Sequence, residues 1–178
     1  MRAPSALLPL LVFGAQMVAQ EANPFSDLAQ ATRATYPGKS HVGVICDYSF
    51  SRAEVRRLAD ALGSGRITVV DIKVGDQASA AAQTLRNQGA EVMVLLPKDR
   101  ILHDGSPQAT VAHWRIAGYM PMIGTSPRAL ENGADFAIGE ATGHELKVND
   151  RLRGIIGPFT PAAKVARGSA QVRVLRAR

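Results

Sequence analysis

The sequence predicts an α/β fold, in the form of a single open, doubly wound and mainly parallel sheet of five or six strands. Three observations predict it. Short apolar runs rich in β-branched residues, typical of strands covered on both faces, alternate with polar helical segments. Capping residues open those helical segments and glycines close them. Strands joined through helices at this spacing form parallel crossovers, so neither a barrel nor a second domain is expected.

The N-terminal region is interpreted as a signal peptide, residues 1–20. It carries one early cation, Arg2, and then an apolar run from Ala6 to Val18 that is too short to span a bilayer as a helix. An ordinary N-terminal helix is the alternative. Residues 21–39 are polar and interrupted by two prolines, so they are interpreted as a linker or a loosely docked first helix.

The first strand and helix lie at the start of the predicted lobe, residues 40–157. The apolar run His41–Cys46 predicts a buried strand. Ser51 and Glu54 form a capping-box pattern that predicts the start of a helix, and Gly63 predicts its end. Each later unit repeats this order. Further strands are predicted at 66–74, 91–96, 120–124, 135–138 and, on an edge, 171–175, with helices at 76–88, 106–117, 126–133 and 141–153.

Charge and cysteine content limit the possible functions. The net charge is +6, and five cations with no acid lie between Lys164 and Arg178, within the basic tail of residues 158–178. We interpret this tail as solvated surface, although it could touch anionic lipid, nucleic acid or an acidic partner, and we predict no nucleic-acid function. The single cysteine, Cys46, is predicted to be a buried small hydrophobe and not a reactive thiol.

Motifs of catalysis and metal binding are missing from the sequence. It has no nucleophile elbow, no phosphate-binding glycine loop and no paired-cysteine motif, and its four histidines lack ligand spacing. We therefore predict that the protein is not an enzyme and holds no metal or cofactor.

Polar side chains follow several predicted strands at the carboxyl edge of the sheet, where open α/β sheets bind ligands. These candidate ligand-binding residues are Asp47, Tyr48, Ser49, Asp99, Thr125, Ser126 and Glu140. They predict hydrogen bonding to a small polar molecule. Some have structural interpretations as well: Asp47 and Asp99 could form Asx turns, and Ser126 could cap a helix. Glu140 could lie in the first turn of the last helix, where its charge favours the helix dipole.

Four segments resemble the ABC-transporter substrate-binding proteins of the type I periplasmic-binding superfamily. They are Val42 to Ser49, Glu91 to Asp99, Met120 to Ser126 and Asn132 to Gly139, which together span a similarity from about Lys39 to Ile156. The likeness is to the second lobe of that family. In place of the family's usual Val-Asp-Tyr-like turn, this chain has Gly-Glu-Ala after the fifth strand.

The resemblance implies a periplasmic or secreted protein that binds a small, amino-acid-like solute without changing it chemically. It also implies that the turn residues after the first, third and fourth strands face the ligand cleft. Binding proteins of this kind close two lobes around the solute, and a single lobe offers only an open shelf. We therefore expect a partner, either a second copy of the chain or a membrane transporter or receptor.

Two alternatives come from other functional classes. A receiver-like signalling domain shares the sheet order and places acids where Asp47 and Asp99 stand and a threonine where Thr125 stands, but the expected lysine after the fifth strand is missing. A structural interaction lobe without a ligand is the other alternative.

Overall fold

A seven-stranded sheet forms the centre of the computed structural model, which describes residues 24–36, 38–138, 146–149 and 171–176. The strands are β1 His41–Cys46, β2 Arg66–Asp71, β3 Val92–Val94, β4 Met122–Gly124, β5 Phe136–Ile138, β6 Leu146–Val148 and β7 Gln171–Arg176. The helices are α1 Pro24–Thr35, α2 Tyr48–Leu62, α3 Ala78–Asn87, α4 Pro107–Ile116 and α5 Arg128–Glu131. Across the sheet the strand order is β6-β5-β4-β3-β1-β2-β7.

Every described strand pair is parallel except β5 with β6, which is antiparallel. The prediction of an open, mainly parallel α/β sheet is therefore confirmed. The last predicted strand is present as β7, which lies at the end of the strand order beside β2.

Two hydrophobic cores cover the two faces of the sheet. Alternate residues of a strand enter opposite cores, as Val44 and Ile45 of β1 do. The first core contains buried residues of α1 and α2, and the second contains those of α3, α4 and α5. Cys46 is fully buried in the first core, as predicted. Burial on both faces explains why the central strands are apolar throughout.

Helix α1 occupies the segment interpreted as a linker or a loosely docked helix. Its Phe25 and Leu28 are fully buried in the core shared with α2. Arg33 of α1 donates from its guanidinium to the carbonyls of Ala61 and Leu62, which close α2, at 3.2 and 2.6 Å. Among the described residues, no helix is long and apolar enough to cross a membrane. The predicted signal peptide lies outside the described residues.

The predicted helix at 141–153 is wrong where the structure describes it. Residues 146–148 form strand β6, and the backbone of Asn149 donates to the carbonyl of Asp135 at 2.9 Å. Helix-forming residue types such as Glu145 and Leu146 suggested a helix, but intrinsic propensity is a weak preference. Pairing with the otherwise open edge of β5 satisfies the backbone and overrides it. The rest of that segment lies outside the described residues.

The predicted start of α2 is also wrong. The helix begins at Tyr48, three residues before Ser51, and Asp47 is its N-cap. The capping-box pattern predicted too late a start for the helix, because Asp47 is an equally good N-cap and lies closer to strand β1. The Ser51 hydroxyl instead donates to Asp99, across the loop that follows β3.

Candidate functional site

The candidate site lies at the carboxyl edge of the sheet, where the chain order reverses. From β1 the sheet runs outward to β2 on one side and to β3 on the other. In open α/β sheets such a reversal leaves a crevice between the two loops, and ligands bind there. The loops after β1 and β3 carry Asp47 to Ser49 and Asp99, so the topology brings these predicted residues together.

Asp47 links the end of β1 to the start of α2. Its carboxylate accepts hydrogen bonds from the backbone amide and the hydroxyl of Ser49 and from the ammonium of Lys73, the last at 2.6 Å. Hydrogen bonds from Lys73 and Ser49 lower the pKa of Asp47 to about 2. The carboxylate is therefore ionised at neutral pH, and it is held by groups of the chain itself.

Asp99 connects the loop after β3 to the loop after β1. Its side chain is only 4% exposed. One carboxylate oxygen accepts from the backbone amide of Asp47 at 2.9 Å and from the hydroxyl of Ser51 at 2.6 Å. The other accepts from the amides of Ile101 and Leu102 at 2.8 and 2.9 Å. Asp99 therefore has four donors from within the chain, as in an extended Asx turn.

Two charged residues, one at the end of β2 and one just after it, complete this arrangement, and the sequence reasoning missed both. Asp71 accepts from the backbone amide of Tyr48 at 2.9 Å and from the ammonium of Lys73 at 3.0 Å. Lys73 therefore bridges the loops after β1 and β2. We call Asp47, Asp71, Lys73 and Asp99 the switch-point cluster. The sequence analysis selected polar residues at the carboxyl ends of predicted strands. It would have selected Asp71 and Lys73 if the second strand had been predicted to end at residue 71 and not at 74.

A second cluster lies one strand further along, after β4. Asp104 is 3% exposed, and it accepts from the amide of Thr125 at 3.1 Å and from its hydroxyl at 2.7 Å. Ser126 also donates to it. Burial raises the pKa of Asp104 above its ordinary value, although these hydrogen bonds oppose the rise. The hydroxyls predicted from Thr125 and Ser126 are present at the carboxyl edge and are held by this buried acid.

Exposed side chains surround the switch-point cluster. Ser49, Phe50 and Arg100 are exposed, and Tyr48 is half-buried against the first core. The guanidinium of Arg100 lies over the ring of Phe50, 4.4 Å from its centroid. An aromatic face, a hydroxyl and a cation are thus the groups that this part of the edge presents to solvent.

The Ser49 hydroxyl donates to Asp47, whose carboxylate is only a weak general base because its pKa is lowered to about 2. The nitrogen of Lys73 lies further away, 3.5 Å from the Ser49 hydroxyl oxygen. Hydrogen bonds that Lys73 donates to Asp47 and to Asp71 raise its pKa, so it remains an ammonium ion and cannot accept a proton at neutral pH. Neither neighbour is therefore an effective proton acceptor for Ser49 at neutral pH.

Two cavities are relevant to the site. One, of about 410 Å³, lies at the carboxyl edge between the loops after β2 and β3, where Asp76, Arg100 and His103 line it. Another, of about 370 Å³, lies near the opposite edge, lined by Tyr36 and Tyr119 among others. The first adjoins the groups named above, whereas the second does not.

Two further predictions concern metal ions and Glu140. Within the described part of the chain, no group of three or more His, Cys, Asp and Glu residues could hold a metal ion. Glu140 lies outside the described residues.

Comparisons with known proteins identify no family for this chain. No family model matches the chain, and no curated protein matches it. One solved structure that aligns with it is titled a crystal structure of the SepCysS-SepCysE N-terminal domain complex. The alignment has 13% sequence identity and a TM-score of 0.44, and it covers 82% of this chain and 47% of that chain. This chain thus spans about half the length of the matched chain.

Proposed function

We propose that the protein is an exported solute-binding or sensing lobe, resembling the second lobe of ABC-transporter substrate-binding proteins. It binds a small polar, amino-acid-like molecule at the carboxyl edge of the sheet, without chemical change. It acts in the periplasm or outside the cell, together with a second surface that closes over the solute.

The switch-point cluster is the observation that carries this proposal. Its acids accept hydrogen bonds from the chain's own donors, and these bonds tie the loops after β1, β2 and β3 to one another. Fixed loops make a preformed site, and a preformed site loses less entropy when it binds a ligand. The exposed groups beside them are the ring of Phe50, the guanidinium of Arg100 and the oxygen of the Ser49 hydroxyl, whose proton goes to Asp47. These groups suit stacking, ion pairing and hydrogen-bond acceptance from a small solute.

The same contacts disfavour a receiver-like phosphotransfer domain. Such a domain needs a phosphate-accepting aspartate that is accessible and acids that can hold Mg²⁺. Here Asp99 is buried with four donors, and Asp47 is bound to Lys73. Phosphorylation of Asp99 would require most of these bonds to break.

The openness of the edge is the reason for a partner. Phe50 is 46% exposed, and Ser49 and Arg100 are also exposed. Hydrogen bonds made on such a shelf compete with water and contribute little net free energy. A second copy of the chain, or a membrane transporter or receptor, would bury these groups around the solute.

A thermal-stability screen of the full chain tests the proposal. Amino acids, sugars and nucleosides are added at about 10 mM, and molecular mass is measured alongside. A ligand with a dissociation constant of about 1 mM would stabilise the fold by about 1.4 kcal/mol, or roughly 3–6 °C in Tm. Replacing Phe50 by Ala should abolish that shift. The matched control is Trp114→Ala, which removes a 75% exposed aromatic from α4 and should leave the shift unchanged.

Two results would count against the proposal. If no compound stabilises the chain, alone or with a partner that raises its mass, the structural-lobe alternative is favoured. If a monomer binds a solute with micromolar affinity, the requirement for a second surface is wrong.

A further inference from the structure

Strand β7 is an edge strand that is paired along one side. It pairs in parallel with all six residues of β2, and among the described strands none pairs with its other side. Parallel strands in α/β proteins are normally covered on both faces. In β7, however, every residue except Leu175 is exposed. This strand therefore presents both backbone and side chains to a partner.

The direction of its backbone groups can be worked out from one hydrogen bond. The amide of Gln171 donates to the carbonyl of Gly65, just before β2, at 3.0 Å. Because the amide and carbonyl of one strand residue point to the same side and alternate residues point to opposite sides, Arg173 also directs its backbone toward β2. Val172 and Val174 direct their amides and carbonyls away from the sheet.

The side chains of β7 combine positive charge with apolar surface. Val172 and Val174 are 40% and 37% exposed on the face that also carries Ile67 and Val69 of β2. Arg173 and Arg176 are exposed as well. Asp71, in register with Arg176, is already bound by Lys73 and by the Tyr48 amide. No acid occurs between Lys164 and Arg178.

We propose that β7 docks an extended acidic segment of another protein, which adds to the sheet as a further strand. Backbone hydrogen bonds to Val172 and Val174 would give affinity, as in other strand-addition complexes. The charge of the edge specifies the partner. Arg173 and Arg176 are three residues apart and so project to opposite faces, which requires carboxylates at the same three-residue spacing in the added strand. β-branched residues between them would cover the two valines.

A peptide of four Glu-Val-Thr repeats is the probe that follows from this geometry. Its period of three places a carboxylate opposite each arginine in either strand direction. We expect the fluorescein-labelled peptide to bind the full chain in a fluorescence-anisotropy titration. A peptide of four Glu-Pro-Thr repeats has the same charge but lacks the required amides, and it should bind at least tenfold more weakly.

Variants of β7 give a second, independent readout. The double substitution Arg173→Glu with Arg176→Glu should lose the Glu-Val-Thr peptide and gain binding of a Lys-Val-Thr peptide. Val174→Pro removes an outward amide without removing a bond to β2, and it should weaken Glu-Val-Thr binding at least tenfold. Because the charge reversal keeps every backbone amide, it tests the proposal even if the proline variant does not fold.

Several results would overturn the proposal. If the Glu-Pro-Thr peptide binds as tightly as the Glu-Val-Thr peptide, the attraction is by charge alone. If the Glu-Val-Thr peptide does not bind at concentrations up to about 1 mM, the edge takes no acidic strand. A concentration-dependent dimer that Val174→Pro abolishes would assign the edge to a second copy of the chain. Phe50→Ala should not affect peptide binding, so this proposal and the solute-binding proposal fail separately.

Discussion

Asp99 was selected from the sequence as a ligand contact, and the structure makes it a brace between two loops. We predict that Asp99→Asn destabilises the fold by about 3 kcal/mol. The two carboxylate oxygens each accept from two donors. In either orientation of the new amide, its NH₂ group points at one pair of those donors, so two hydrogen bonds are lost. Bonds to a buried charged group contribute about 1.5 kcal/mol or more each.

Urea unfolding of the full chain measures this loss. With an m-value of about 2 kcal/mol/M, the midpoint should fall by about 1.5 M. Asp60→Asn is the matched control, because Asp60 is exposed on α2 and should change stability by less than about 0.5 kcal/mol. Ser51→Ala removes one donor and should cost about 1 kcal/mol. If Asp99→Asn unfolds at the wild-type midpoint, Asp99 is not a brace, and its assignment as a ligand contact regains support.

The other predictions concern titration, packing and thiol access. The pKa of Asp47 is lowered to about 2. The stability advantage of the wild type over Asp47→Asn should therefore be complete above pH 4 or so and should vanish as the pH falls to about 2. Urea midpoints measured across that range test this. Gly124→Ala would place its new methyl 2.0 Å from the Cβ of Ala129 and should lower the free energy of unfolding by about 3 kcal/mol in the same assay. At Gly105, the control position, the nearest atom to a new methyl is 3.6 Å away, and alanine should be tolerated. Burial raises the pKa of the Cys46 thiol, so a thiol reagent should label it only after unfolding, and rapid labelling of the native protein would contradict its place in the core.

Much of the fold could be predicted because local signals and burial agree. After His41, the strand β1 is apolar as far as Cys46 because both of its faces are covered. Glycines such as Gly63 close helices where the backbone has positive φ. Strand β6 was not predicted, because the three residues Leu146 to Val148 alternate apolar and polar over too short a run to indicate a strand. It forms by antiparallel pairing with the preceding strand β5, and such pairing depends on packing context more than on the residues of β6 themselves.

The candidate site was predictable in position more than in role. Strand ends are visible in the sequence, so Asp47 and Asp99 were correctly expected at one edge. Which atoms donate to them depends on the distance between loops, and that distance is set by the three-dimensional packing of the sheet. Lys73 shows this: its bonds reach back across 26 residues to Asp47 and two residues to Asp71.

Amide chemical-shift mapping by NMR is the most direct test of whether a solute binds at the carboxyl edge of the sheet. The full chain is titrated with each compound that passes the thermal screen. We predict weak binding by the chain alone, with shifts concentrated at Tyr48, Ser49, Phe50 and Arg100. Shifts concentrated at Tyr36 and Tyr119, in the cavity near the opposite edge, or the absence of any shift would contradict it.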